Sequence, residues 1–198
     1  PTISLPLAFR TTVSSIPASV PYLHADAEKI ALWQQRLGNK TRSRIGLVWS
    51  GMIRRDIDSN PARKRDLPLQ LVAPWLQLPL EFHSLQKKLR PGDEDILAGF
   101  GRIQTHHQDL NDFSDTAALV EAMDLVISID TSVPHLAGAM GKPVWVMLPF
   151  STDYRWTADG AATPWYPTAT LFRQAAIGDW SGVVVAIADR LRSRFADD

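Results

Sequence analysis

The stretch Asp124-Leu125-Val126-Ile127-Ser128-Ile129-Asp130-Thr131-Ser132-Val133-Pro134-His135 changes from an apolar run to a polar cluster within a few positions. The β-branched residues between Val126 and Ile129 favour a buried strand. Ser132 is the predicted N-cap of a following helix, Pro134 suits its first turn, and Gly141 marks its end. The pattern therefore predicts a strand that leads directly into a helix, which is the repeating unit of α/β folds.

The junction between this strand and this helix has the chemistry of an anion site. The backbone N–H groups of the first turn and the hydroxyls of Thr131 and Ser132 are expected to lie beyond the carboxyl end of the strand. A helix N-terminus carries partial positive charge, so phosphate suits this geometry. The same pattern also occurs in α/β proteins that bind nothing there, and spacing alone leaves both interpretations open.

Strands and helices alternate along the rest of the chain. Apolar runs predict strands at 45–49, 80–85, 102–106, 143–148 and 169–172. Capped or amphipathic stretches predict helices at 26–37, 68–76, 93–100, 115–123 with Asp115 as N-cap, and 181–191. Because parallel strands are joined by crossovers, we expect an α/β fold with a doubly wound parallel, Rossmann-like sheet. Its ligands should lie beyond the carboxyl ends of the strands.

Composition argues against several classes of function. Lys and Arg total 21 and Asp and Glu also total 21, so the balance lacks the positive footprint of a protein that binds nucleic acid or anionic membranes. The chain has no cysteine, which excludes disulfides and thiolate metal sites. No apolar run approaches the roughly 20 residues of a membrane span, and no leader stands at the start. We therefore expect a cytoplasmic protein.

Four segments together resemble a known family. The segment from Asp130 to Pro149 resembles the diphosphate-binding region of heptosyltransferase-like glycosyltransferases, and residues 46–51, 82–87 and 164–167 match further motifs. Together they look like the C-terminal half of bacterial proteins that join tetratricopeptide repeats to a glycosyltransferase, distant relatives of the O-linked N-acetylglucosamine transferases. The resemblance covers about residues 5–191.

This resemblance implies the donor-binding domain of an inverting, metal-independent glycosyltransferase of the two-domain GT-B type, whose donor is a nucleoside-diphosphate sugar. No other cofactor is implied. Residues 1–40 would be a connector and linker helix from a missing N-terminal domain, and residues 41–198 the Rossmann-like domain. The catalytic base would lie on the missing domain, with tetratricopeptide repeats upstream. A non-catalytic nucleotide-sugar sensor or scaffold and one half of a nucleotide-sugar epimerase are the alternatives.

Positive charge is concentrated in the loop after the first strand, at Arg54, Arg55, Arg63, Lys64 and Arg65. A solvated surface loop is the plain interpretation. A cation beside the diphosphate leaving group would instead stabilise the transition state. The resemblance aligns a basic residue with Arg65, which is the first candidate, and Lys64 is the second.

Lys87, at the end of the second strand, is a further candidate for stabilising the leaving group. The family's usual Gly-Asn-Pro at the start of the first loop is Gly51-Met52-Ile53 here.

The remaining candidates are residues that would bind the nucleotide sugar. Gln86 could reach the base or ribose, His135 could donate to phosphate, and Asp130 is expected to brace the turn by accepting hydrogen bonds. His106-His107 is not expected to form a metal site, because neighbours on a strand point to opposite faces. The predicted binding residues are Ser50, Gly51, Gln86, Asp130, Thr131, Ser132 and His135.

Overall fold

The structure, a computed structural model, describes residues 4–52 and 60–196. Six parallel strands form one sheet in the order β3-β2-β1-β4-β5-β6. The strands are β1 Arg44–Val48, β2 Glu81–Ser84, β3 Ile103–Thr105, β4 Leu125–Ile129, β5 Val144–Leu148 and β6 Ala169–Arg173. The α-helices are α1 Leu5–Ala8, α2 Ala27–Leu37, α3 Asp93–Phe100, α4 Phe113–Glu121, α5 Ser132–Ala139 and α6 Ser181–Arg194.

The order of the strands confirms the predicted doubly wound, Rossmann-like sheet. Every residue of β1, β4 and β5 is buried, as expected for central strands covered by helices on both faces. The chain reverses its direction of winding between β1 and β4, which are neighbours in the sheet. Ligand clefts of such sheets lie at this switch point, outside the carboxyl ends of the strands.

Two predicted helix starts are wrong in detail. The N-cap of α5 is Thr131 rather than Ser132, because the Thr131 side chain accepts a hydrogen bond from Val133 N. The N-cap of α4 is Asp112, whose side chain accepts from the next turn, while Asp115 completes a capping box from inside the helix. In both cases neighbouring residues of capping type competed for one position.

Two further segments differ from the prediction. The expected helix from residue 68 is divided into two short 3₁₀ helices, Leu69–Val72 and Trp75–Gln77, although Leu69, Val72, Trp75 and Leu76 are buried as predicted. Pro74 between them removes a backbone donor, which opposes a continuous helix. Residues 1–40 were expected to be a connector with one linker helix, but residues 5–20 also contain α1 and a 3₁₀ turn at Val13–Ser15.

The segment before β1 packs on the domain. In α2, Trp33 is buried, and Lys29 pairs with Asp115 of α4 at 2.6 Å. The backbone N–H groups of Tyr22 and Leu23 both donate to the Ala139 carbonyl at the end of α5, at 2.9 and 3.2 Å. A domain boundary near residue 40 stays a prediction. Within the described ranges, no helix is long and apolar enough to span a membrane.

Two histidines are paired in the core beneath the sheet edge. His83 Nδ1 and His106 Nε2 lie 3.1 Å apart, so one ring donates to the other, and the edge of Trp33 packs against His106. Burial lowers the pKa of His83 to about 4, and it also lowers the pKa of His106. His106 therefore contributes to the core of the folded domain.

This pair is expected to make the domain sensitive to acid. Above a pH of about 6.5 the imidazoles are neutral in both the folded and the unfolded state. Below that pH the imidazoles of the unfolded chain become protonated, whereas the buried imidazoles of the folded domain stay neutral. Stability should therefore fall by about 1 to 3 kcal/mol between about pH 6.5 and pH 4. Urea unfolding across that range measures it. His83→Gln should flatten the slope and His24→Gln, at an exposed position, should not; equal slopes in both variants would contradict the assignment.

Candidate functional site

A cleft of about 1070 Å³ runs along the carboxyl ends of the strands. Its walls come from the loops after β1, β2, β3, β4 and β5, as the topology requires. Nine residues proposed from the sequence line this one cleft, whereas Lys64, the second candidate cation, does not: Ser50, Gly51, Arg65, Gln86, Lys87, Asp130, Thr131, Ser132 and His135 line it. The structure therefore brings together residues that lie as far apart in sequence as Ser50 and His135.

The end of β1 is held by the side chain of Gln86. Gln86 Oε1 accepts from the backbone N–H groups of Trp49 and Ser50, each at 3.2 Å. Gln86 Nε2 donates to Ser50 Oγ at 2.8 Å and to the Lys88 carbonyl at 3.1 Å. Both lone pairs and both hydrogens of the amide are thus engaged within the protein. The sequence predicted a contact with base or ribose, but this geometry assigns Gln86 to positioning Ser50.

The backbone of Gly51 is held by hydrogen bonds at both its N–H group and its carbonyl. Gly51 N donates to Asp66 Oδ1 at 3.0 Å, and Arg90 Nη2 donates to the Gly51 carbonyl, also at 3.0 Å. Arg90 is in turn ion-paired with Asp66. Sequence reasoning missed this clamp, because three separate segments meet only in the folded chain.

Arg65 lies directly over Gly51. A Cβ atom at Gly51 would come within 3.2 Å of Arg65 Nε and Nη2, so the missing side chain makes room for the guanidinium. Arg65 is half-buried and makes no hydrogen bond or ion pair with any described residue. Lys87 is exposed and likewise has no partner in the described chain. Both cations line the cleft, and so do Arg63 and Lys88, whose side chains likewise have no partner among the described residues.

The other basic residues of this loop have different positions. Arg63 lines the cleft, whereas Lys64 is exposed and is not among the lining residues. Arg54 and Arg55 lie outside the described residues.

The N-terminus of α5 forms the floor of the cleft at the end of β4. Thr131 Oγ1 accepts from Val133 N at 3.3 Å, and Ser132 is the first helical residue and exposed. Pro134 has no N–H group, so the free donors of this turn are fewer than the sequence pattern suggested. The Ser132 N–H and hydroxyl have no partner among the described residues, and they are available to an anion at the helix end.

His135 lies one turn into the same helix. Its Nδ1 is 3.0 Å from the Tyr166 hydroxyl, its ring stacks on Trp156 with centroids 4.7 Å apart, and its Nε2 is 3.8 Å from Asp130 Oδ1. Burial lowers the pKa of His135, while the nearby Asp130 carboxylate acts in the opposite direction. The ring is therefore neutral at physiological pH.

The sequence analysis predicted the wrong hydrogen-bond partners for Asp130. No described backbone or hydroxyl group donates to its carboxylate, so it does not brace the turn as expected. Its Oδ1 instead lies 3.8 Å from His135 Nε2.

The sequence analysis did not single out Phe113, which also lines the cleft. This ring is 61% exposed although it belongs to α4, whose start is fixed by the Asp112 capping box. The available signal was its position at the helix start after β3, on the same rim as the other loops. At the opposite end of the cleft, Asp153 and Arg155 line the wall as an ion pair of 3.0 Å.

No protein-family model matches the chain. Protein FlbA of Caulobacter vibrioides is 28% identical over 195 residues, which cover 93% of this chain and 31% of that protein. The chain therefore spans about a third of the length of this curated relative.

Solved glycosyltransferases share the fold. ADP-heptose lipopolysaccharide heptosyltransferase II of Escherichia coli superposes with a TM-score of 0.58 at 14% identity, covering 94% of this chain and 57% of that chain. A family 9 glycosyl transferase of Veillonella parvula superposes with a TM-score of 0.59 at 13% identity, covering 93% of this chain and 57% of that chain. The E. coli heptosyltransferase WaaC, solved with ADP, superposes with a TM-score of 0.54 at 15% identity, covering 91% of this chain and 53% of that chain. The Rossmann-like fold thus matches part of GT-B glycosyltransferases.

Proposed function

We propose that this chain binds the donor of an inverting, metal-independent glycosyltransferase, and that the donor is a nucleoside-diphosphate sugar. The observation that carries the proposal is the cleft in which the α5 N-terminus and the unpaired cations Arg65 and Lys87 lie together. The fold shared with heptosyltransferases gives independent support.

The proposed role of the cations follows from the charge of the reaction. When a glycosidic bond to a diphosphate breaks, negative charge grows on the leaving group. Arg65 is held over Gly51 without a partner among the described residues, so it can pair with that charge. Within the described residues, no three His, Asp or Glu side chains group closely enough to hold a metal ion. Protein cations would then do the work that a divalent ion does in other transferases.

An aromatic side chain supports a nucleoside as part of the ligand. Phe113 is exposed in the cleft, whose lining also includes the apolar residues Leu89 and Pro91. A base that stacks on such a ring gains roughly 1–3 kcal/mol. The nucleoside would therefore lie toward β3, with the diphosphate at α5 between the base and the sugar.

The rest of the proposal concerns the longer protein. The base that deprotonates the acceptor would be supplied by a second Rossmann-like domain facing this cleft, with tetratricopeptide repeats further upstream. We also propose a cytoplasmic location. Because proximity and orientation account for about 7–11 kcal/mol of such a barrier, this chain by itself should bind the donor without transferring sugar.

Calorimetry on this chain tests the proposal. At least one of ADP, UDP and GDP is expected to bind, with the same affinity in the presence and absence of a chelator. Inorganic pyrophosphate should bind more weakly, because it lacks the base. An affinity that collapses on chelation would contradict the metal-independent mechanism. No binding by any of the three nucleotides would contradict the proposed function.

A further inference from the structure

The His135 ring is restrained on three sides before any ligand arrives. The Tyr166 hydroxyl contacts Nδ1 at 3.0 Å, Trp156 covers one face of the ring, and Asp130 lies near Nε2. Trp156 is fully buried and Tyr166 is 9% exposed, so both contacts come from ordered side chains. The orientation of the imidazole is therefore set by the protein.

A neutral imidazole carries its single hydrogen on either Nδ1 or Nε2. With the hydrogen on Nδ1, the Nε2 lone pair would face the Asp130 carboxylate 3.8 Å away, which is repulsive. With the hydrogen on Nε2, that N–H points toward negative charge and Nδ1 becomes an acceptor. The Tyr166 hydroxyl can then donate its hydrogen to Nδ1. Asp130 and Tyr166 therefore favour the same tautomer.

The position of Tyr166 depends on a close approach to α5. A Cβ atom at Gly138 would lie 2.5 Å from Tyr166 Cγ and Cδ1, which no side chain could tolerate without displacing the ring. The glycine thus lets the tyrosine ring lie against the helix that carries His135. The Tyr22 side chain also lies close to the Tyr166 hydroxyl.

We propose that Tyr166 is a positioning residue whose hydroxyl holds His135 as the Nε2–H tautomer. Asp130 Oδ1, at 3.8 Å, is too far from Nε2 for a hydrogen bond, so this N–H can donate to a phosphate bound at α5. The part of this inference that concerns phosphate rests on the proposed function. The part that concerns the tautomer does not. The remaining charged groups around the ring, Asp153 and Arg155, have opposite signs and are paired with each other.

Nitrogen NMR of the imidazoles, recorded on this chain without ligand at about pH 8, tests the tautomer. The His135 signals, identified by their loss in His135→Gln, should show a protonated Nε2 and an unprotonated Nδ1. Tyr166→Phe keeps the ring against Gly138 but removes the hydroxyl, so a mixture of tautomers is expected. Tyr154→Phe, at a tyrosine that is 66% exposed, is the matched control and should change nothing.

The tautomer measurement tests the positioning role of Tyr166, and the pyrophosphate titration tests the proposed function. A hydrogen on Nδ1 in the unaltered chain would overturn the inference, even if Tyr166→Phe failed to fold. So would a spectrum unchanged by Tyr166→Phe. Titration with pyrophosphate gives the second readout, and Tyr166→Phe should weaken its binding by about 2- to 10-fold, the scale of one hydrogen bond. If pyrophosphate bound neither protein but the tautomer were as expected, the proposed function would fail and the positioning role would stand.

Discussion

Arg65→Ala is expected to lower the rate of sugar transfer by about a hundredfold or more, the scale for losing one preorganised group at a developing charge. The guanidinium lies over Gly51, without a partner in the described part of the chain, in the cleft that also contains the α5 N-terminus. Its contribution should grow as the leaving group becomes more negative, so the maximal rate should fall more than donor affinity does. The measurement is release of the labelled sugar or nucleotide by a longer form of the protein that carries both walls of the cleft.

Lys64→Ala provides the matched control for Arg65. Lys64 is the adjacent cation, but it is exposed and does not line the cleft, so its loss should leave the rate nearly unchanged. Arg65→Lys keeps the charge while removing the fork of donors, and an intermediate rate is expected. Equal, small effects of Arg65→Ala and Lys64→Ala would show that the loop only carries surface charge.

Ser132→Pro is expected to reduce nucleoside diphosphate binding by about a hundredfold or more, since two hydrogen bonds to a charged group are lost together. The substitution removes both the hydroxyl and the backbone N–H of the first residue of α5. Proline is well tolerated at that helical position, and Thr131 before it is already extended, with φ −133° and ψ −168°. The fold should therefore survive, which circular dichroism can check.

Ser132→Ala separates the contribution of the Ser132 hydroxyl from that of its backbone N–H. It removes the hydroxyl but keeps the N–H, so calorimetry should give an affinity between those of the unaltered chain and Ser132→Pro. If Ser132→Pro folded and bound nucleotide normally, the anion would not lie at this helix end.

The fold could be predicted because its determinants are local. Apolar β-branched runs and capping residues are visible in the sequence, and five parallel pairings follow from their alternation. Errors occurred where two capping residues stand close together, as with Thr131 and Ser132. The cap is then decided by the angle at which the chain leaves the strand, and this angle depends on packing rather than on residue type.

The candidate site was predictable as a set of positions but not as a set of contacts. Strand ends indicated which loops meet, so nine of the proposed residues line one cleft, and Lys64 does not. Whether a side chain is free or already paired depends on partners distant in sequence. Gln86 is bonded mainly by groups at the end of β1, 36 and 37 residues earlier, whereas Arg65 has no partner among the described residues. No periodic pattern in the sequence distinguishes a side chain whose hydrogen bonds are satisfied from one that has no partner.

Helix α5 joins the candidate phosphate site to the segment that enters the domain. Its last carbonyl, at Ala139, accepts the amides of Tyr22 and Leu23, and its first turn forms the floor of the cleft. Eight residues of helix measure only about 12 Å. The segment at Tyr22 and Leu23 and the candidate phosphate site therefore contact opposite ends of one short helix. A shift in the path of that segment would tilt the helix N-terminus that lines the cleft.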